Sequence, residues 1–220
     1  MANNYINDGY NAYRVEGADF DGYFEIPIVK NQVTTIPKEL IPYEKKHRVK
    51  DKQNYFIHFY IYDEKFIKFV NDPEKFLYQI KDFAGVISPD CSLYWDMPLA
   101  TQISNTYNNR ATAYYLQNQG IPVIPNIRWG DERTFEFAFS GVEPYGMYAI
   151  STYGCIKSKE ERSMFKLGLE ELIKRLSPKK LLVHGSMPDD IFGAFPSDLF
   201  VNYETWIARV YGKKEASDGN

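Results

Sequence analysis

A set of polar residues stands just after apolar, strand-like runs of this chain: Ser88, Asp90, Asn126, Arg128, Asp131, Ser151, Thr152, His184 and Ser186. In α/β folds a ligand lies outside the carboxyl ends of the strands, so residues at those positions share one rim. Together they supply carboxylates, a guanidinium, an amide, hydroxyls and an imidazole. The Arg128 fork suits a phosphate or another planar anion, and Asn126 can orient it. Asp131, Ser151 and Thr152 complete the expected ligand-binding set. Asp90 or His184 is placed to act as general base in a hydrolysis.

Each of these residues also has a purely structural reading. Asp90 follows Ser88-Pro89 and can cap a turn. Arg128 can stack on the ring of Trp129 or pair with Asp131. A histidine at a strand end, such as His184, also fits a core site with its hydrogen bonds satisfied. Only convergence of the whole set favours a binding or catalytic role.

Sharper signatures are missing. There is no GxxxxGK[ST] loop, no GxGxxG after a strand, and His184-Gly185-Ser186 is not a GxSxG elbow. His47, His58 and His184 lack HxxxH spacing, and Cys91 and Cys155 are too far apart for a zinc knuckle. Asp90, Asp96 and Asp131 offer oxygen atoms that suit magnesium, but nothing in their spacing specifies a metal, and no cofactor is indicated.

The elements that must position the set follow from periodicity. Ile121 to Asp131 begins apolar after Gly120 and ends polar, as a buried parallel strand does, although Pro122 and Pro125 disfavour a regular one. Asn54–Asp63, Ala84–Ile87, Gly146–Thr152, Lys180–Gly185 and Leu199–Val201 read as further strands. Helices are expected from Asp72-Pro73 to Phe83, from Pro98 to Gly120, and from the capping box Ser158-x-x-Glu161 to Leu176, with a short one through Tyr203 to Val210. In the Pro98 helix, Leu99, Ile103, Tyr107, Ala111 and Tyr114 read as the apolar stripe and Gln102, Asn105, Asn109 and Thr112 as an outward amide face. The type of the segment Arg133 to Phe139 stays open. Alternating strands and helices imply a mostly parallel sheet of about four to six strands, open or partly barrel-like.

A chain of 220 residues with 44% apolar content can bury one core. Residues 1–50, Tyr-rich and broken by prolines, read as an irregular arm wrapped on a single α/β domain of residues 51–212, with a frayed tail at 213–220. A net charge of −3 and a pI near 5.7 make nucleic acid the disfavoured partner, leaving a small phosphorylated ligand or a protein. The cluster Lys45, Lys46, His47, Arg48, Lys50, Lys52 reads as a solvated loop with some capacity for phosphate. Isolated cysteines and the lack of an apolar run near the ~18 residues of a membrane span point to a cytoplasmic protein. Oligomeric state is not indicated.

The stretches Ser88-Pro89-Asp90-Cys91-Ser92-Leu93-Tyr94-Trp95-Asp96-Met97-Pro98, Asn109-Arg110, Ile121 to Asp131, Ala149 to Gly154 and Val183-His184-Gly185 resemble an uncharacterised domain family found in phages, prophages and mobile elements. The resemblance covers roughly residues 80 to 190. It implies a context of replication, DNA processing or interference with host defence, and it carries no catalytic residues. It leaves the N-terminal arm outside, free for a partner-specific role. Two functions fit this sequence: binding and hydrolysis of a phosphorylated or nucleotide-like ligand at the strand ends, or non-enzymatic inhibition of a host factor. The second would use a Tyr-rich surface including the arm and the Asn105/Asn109 helix face.

Overall fold

A computed structural model of the protein describes residues 11–210. Residues 1–10 of the expected arm and the expected tail at 213–220 lie outside the described residues. A short hairpin, β1 (Phe20–Asp21) with β2 (Ile26–Pro27), precedes two parallel ladders. The first has the order β3 (Glu39–Pro42), β4 (Tyr55–His58), β5 (Gly85–Ile87), β6 (Val123–Ile124). The second has the order β7 (Met147–Ser151), β8 (Lys180–His184), β9 (Phe200–Tyr203), and every pairing in both ladders is parallel.

The two prolines explain why β6 is short and why there are two ladders. Val123–Ile124 pairs with β5, but Pro125 has no N–H to donate. Beyond it the chain changes partner: Ala149 N donates to Pro125 O at 2.9 Å and Ile127 N to Ala149 O at 2.8 Å. The strands therefore follow one another in sequence order around a common interior. Leu40, Phe56, Ile87, Ile124, Ala149 and Leu182, from six successive strands, pack there with Val201 and Tyr203 of the seventh. No backbone ladder joins β9 to β3 among the described residues. Side chains cross that seam instead: Tyr203 Oη donates to Pro37 O at 2.5 Å, and Arg209 pairs with Glu39 and donates to Leu40 O. The sheet is thus curled and partly barrel-like.

Helices cover its outside. α1 (Ile67–Asn71) and α2 (Pro73–Phe76) fill the connection after β4; the second starts at the expected Asp72 cap but gives way to a 3₁₀ turn at Leu77–Gln79. α3 (Leu99–Asn118) connects β5 to β6, and Gly120, at φ +75°, ends it in the left-handed conformation that glycine accepts without strain. α4 (Lys159–Leu176) carries the expected capping box and buries Phe165, Leu169, Leu172 and Leu176, each contributing roughly 1.5–3 kcal/mol by removal from water. Gly168 lets this helix approach Trp129: an added Cβ would fall 2.1 Å from the indole nitrogen. α5 (Asp189–Phe192) precedes β9, the segment of open type contains a 3₁₀ turn at Glu132–Glu136, and the last helix starts at Trp206 rather than Tyr203.

Two expectations need correcting. Glu39–Pro42, inside the segment read as arm, is a strand of the main sheet; flanking prolines concealed it. In α3 the expected faces hold only in part: Ala111 is buried as expected and Asn105 is half-buried. Gln102, Asn109 and Thr112, expected outside, are buried, while Leu99, Ile103, Tyr107 and Tyr114 are only half-buried. Asn109 is held inside by bonds to Ser88, Pro89 and Arg110 and Gln102 by its Nε2 bond to Met97 O, while Gln102 Oε1 and Thr112 Oγ1 have no partner among the described residues.

Candidate functional site

The carboxyl ends of β5, β6, β7 and β8 bring most of the expected residues into one hydrogen-bonded system. Ser88, one residue past β5, donates through Oγ to Asn109 Oδ1 at 3.0 Å and accepts from Asn126 N at 2.8 Å. Asn126 is wholly buried, and both ends of its amide are bonded: Nδ2 donates to Asp90 Oδ1 at 2.8 Å and Oδ1 accepts from Tyr60 Oη at 3.0 Å. Arg128 Nη1 donates to Asp90 Oδ2 at 3.3 Å and to Cys155 Sγ at 3.1 Å. Asp90 therefore caps no turn, and Arg128 pairs with neither Asp131 nor the Trp129 ring. Its guanidinium lies 5.6 Å from the centre of the Tyr94 ring.

Behind Tyr60 the chain of contacts turns aromatic. The Tyr60 and His184 rings stack with centroids 4.8 Å apart, and the His58 ring lies 4.6 Å from His184. His58 Nδ1 accepts from Tyr60 N at 3.2 Å, which assigns its proton to Nε2. Ser151 Oγ stands 3.1 Å from both His184 Nδ1 and His184 O. His184 is thus a satisfied buried histidine.

Burial governs the protonation states. It lowers the His184 pKa to about 4, and it lowers that of His58 well below the ordinary value with the help of His184 and Arg209. Burial likewise raises Tyr60 far above the ordinary phenol, with Asp90 adding to the effect. It raises Asp90 against the pull of Arg128 and Asn126, and it raises Cys155 against Arg128. At neutral pH these two imidazoles are uncharged and the thiol keeps its proton, which leaves the Arg128 guanidinium, beside Asp90, as the cation of the site.

Two expected residues stand apart. Asp131 caps the Glu132–Glu136 turn by accepting from Arg133 N and pairs with the Arg133 guanidinium. The Thr152 hydroxyl donates to Ser186 O at 2.7 Å, bracing the loops after β7 and β8. Other residues matter that the pattern did not single out. Tyr60 lies two positions past β4, within reach of the same strand-end rule. Asn109 Nδ2 donates to Pro89 O at 2.5 Å. Arg110, 1% exposed, donates to Asn109 Oδ1 and to the carbonyls of Asn126, Ala138 and Ser140, and burial lowers its pKa to about 10. It is a cation used as a bracket for the loops that shape the site.

Arg128 faces a small cleft of about 120 Å³. Ile127 and Trp129 line it from the segment after β6, Ile150 from β7 and Met164 and Phe165 from α4, with Tyr94, Trp95 and Asp96 exposed at its mouth. Ser151 and Cys155 reach it; Asp90, Asn126 and His184 support it from behind. Nε and Nη2 of Arg128 make no hydrogen bond among the described residues, and its side chain is 15% exposed. Among the described residues no three His, Cys, Asp or Glu side chains come together as a metal site, and no helix is long and apolar enough to cross a membrane.

Residues 18–204 match the model of a family described as a domain of unknown function, DUF4417. The chain belongs to this family. The match begins at residue 18, so most of the N-terminal arm lies within the family, contrary to the narrower extent that the motifs implied. The Gene 1 protein of Mycobacterium phage L5 is 37% identical over 131 residues, covering 60% of this chain and 57% of the relative. The Gene 1 protein of Mycobacterium phage D29 is 36% identical over 131 residues, covering 60% of this chain and 48% of the relative. The aligned region spans about half the length of these curated relatives. Both are phage proteins, the context that the motifs implied. No solved structure matches the chain.

Proposed function

We propose that this DUF4417 protein binds a small phosphorylated or nucleotide-like ligand in the cleft at the carboxyl ends of its strands. The observation that carries the reading is the state of Arg128. One edge of its guanidinium is fixed by Asp90 and Cys155, and the Nε and Nη2 donors remain for an anion. A guanidinium locked in place by its neighbours loses little freedom on binding, and its fork matches two phosphate oxygens. Tyr94 and Trp95 offer exposed ring faces for a planar group. Asn126 acts by fixing Asp90 instead of touching the ligand. Hydrolysis has less support: His184 is neutral and screened by Tyr60, and the Asp90 carboxylate is engaged by Asn126 and Arg128.

Mass spectrometry of the supernatant after denaturing purified protein tests the proposal. A phosphorylated metabolite released by the wild type and absent from Arg128→Gln supports it. Equal recovery from both proteins contradicts it.

A second reading, inhibition of a host factor, draws on the exposed hairpin residues Phe20 and Tyr23, the latter 94% exposed. It loses the α3 amide face, which is internal. Its test is pull-down from host lysate with the wild type and with the doubly substituted Phe20→Ser/Tyr23→Ser protein; a partner held equally by both counts against the hairpin.

A further inference from the structure

The opposite end of the sheet carries a second feature that the cleft does not use. Lys38, Glu39, Arg48, Val49, Lys50, Asp51, Asn54 and Tyr55 line a groove of about 550 Å³ where β3 and β4 begin. The charges in it are unequal in availability. Glu39 is paired with Arg209, and Asp51 accepts a hydrogen bond from the Asn54 amide. Lys38 donates only to the neutral Asn54 Oδ1, at 3.1 Å. Arg48 and Lys50 are exposed and form no ion pair among the described residues. The half-buried Tyr55 adds a ring to the groove.

We propose that this groove binds the phosphodiester backbone of a nucleic acid through Lys38, Arg48 and Lys50. Unpaired, exposed cations in a concave surface are the arrangement that displaces counterions from a polyanion. Glu39 is neutralised by Arg209, and Asp51, bonded only by the neutral Asn54 amide, leaves one carboxylate charge against the three cations of the groove. A net charge of −3 for the chain lowers the affinity but leaves the sign of this local field unchanged. Arg48 suits phosphate oxygens through its fork, and the row of cations follows a chain better than it encloses a compact ion.

The experiment is fluorescence anisotropy of the full chain with labelled single-stranded and duplex 20-mers, as a function of salt. Binding is expected in which log K falls with log salt with a slope of about −3, close to one per phosphate neutralised by three cations. Arg48→Glu/Lys50→Glu should weaken it by about tenfold or more at low salt. Lys159→Glu/Lys174→Glu, on the exposed face of α4, imposes the same change of net charge and should weaken it far less. Circular dichroism confirms that both variants are folded. Equal losses in the two variants, no binding to either 20-mer at low salt, or equal affinity for polyglutamate would each overturn the proposal. A preference for single strand or duplex identifies the form of nucleic acid bound.

Discussion

The two ends of this sheet use charge in opposite ways. At the carboxyl ends the central charges are largely buried and held by neighbours: Asp90 by Asn126 and Arg128, one edge of Arg128 by Asp90 and Cys155, Arg110 by backbone carbonyls. At the amino ends Arg48 and Lys50 stand exposed and form no ion pair among the described residues. The first arrangement spends folding stability on fixing a small cleft; the second costs the fold almost nothing and acts at a distance. Substitutions at the two ends should therefore differ first in stability and only then in binding.

The largest difference should come from Arg110. Truncation to Ala leaves the carbonyls of Ser140 and Ala138 without the Arg110 donors and that of Asn126 with only the longer bond from Asn109 in a closed interior, at a cost of roughly 3–5 kcal/mol, comparable to breaking a buried ionic contact. Urea unfolding measures it; a cost below 1 kcal/mol would mean that the bracket is dispensable. Acid should reveal the next effect. His184 titrates at about 4 in the fold against an ordinary value of 6.5. Between those pH values the unfolded chain binds the extra proton, so stability rises with pH in that window and is complete above it. The loss on going from pH 6.5 to 4 is about 3 kcal/mol for this residue, and His58 adds a loss of the same sign. His184→Gln should flatten that slope in a pH series of urea midpoints; an unchanged slope would place the titration elsewhere.

Asn126→Ala should cost about 1–3 kcal/mol, because Asp90 Oδ1 and Tyr60 Oη both lose their partner in a buried site. It should also weaken ligand binding, since Asp90 then no longer fixes Arg128 in one position. Smallest of all, Arg48→Glu/Lys50→Glu should leave stability within about 0.5 kcal/mol of wild type, as exposed substitutions do. A clear destabilisation there would erase the contrast between the two ends.

Much of this could be read from the chain beforehand, for physical reasons that differ by element. The capping box at Ser158 and the four-residue apolar spacing after it define α4 locally, and hydrophobic runs bounded by Gly and Pro define β5, β7 and β8. The strand-end rule grouped Asp90, Asn126, Arg128, Ser151 and His184, which the structure places near one another because parallel strands deliver their ends to one side. It placed Asp131 and Thr152 in the same set, although local turn bonding claims Asp131 and the Ser186 carbonyl claims Thr152. The faces of α3 were only partly legible because its buried side mixes polar and apolar residues, and a hydrophobicity count cannot see that Asn109 and Arg110 find partners in loops distant in sequence. β3 was hidden because Pro37 and Pro42 look like breakers, and its pairing with β4 is a tertiary event. Cys155 gave no signal of its own; only the folded loop brings it to Arg128.

The central claim is that Arg128 holds the anionic part of a cleft ligand. Calorimetric titration with a nucleoside monophosphate and with the matching nucleoside, for wild type and Arg128→Gln, tests it most directly. The account predicts that the wild type prefers the phosphorylated ligand by about tenfold or more, a charge-assisted contact of roughly 1.5–3 kcal/mol, and that Arg128→Gln abolishes the preference. A preference of equal size in the folded variant, or no preference in the wild type, would contradict it.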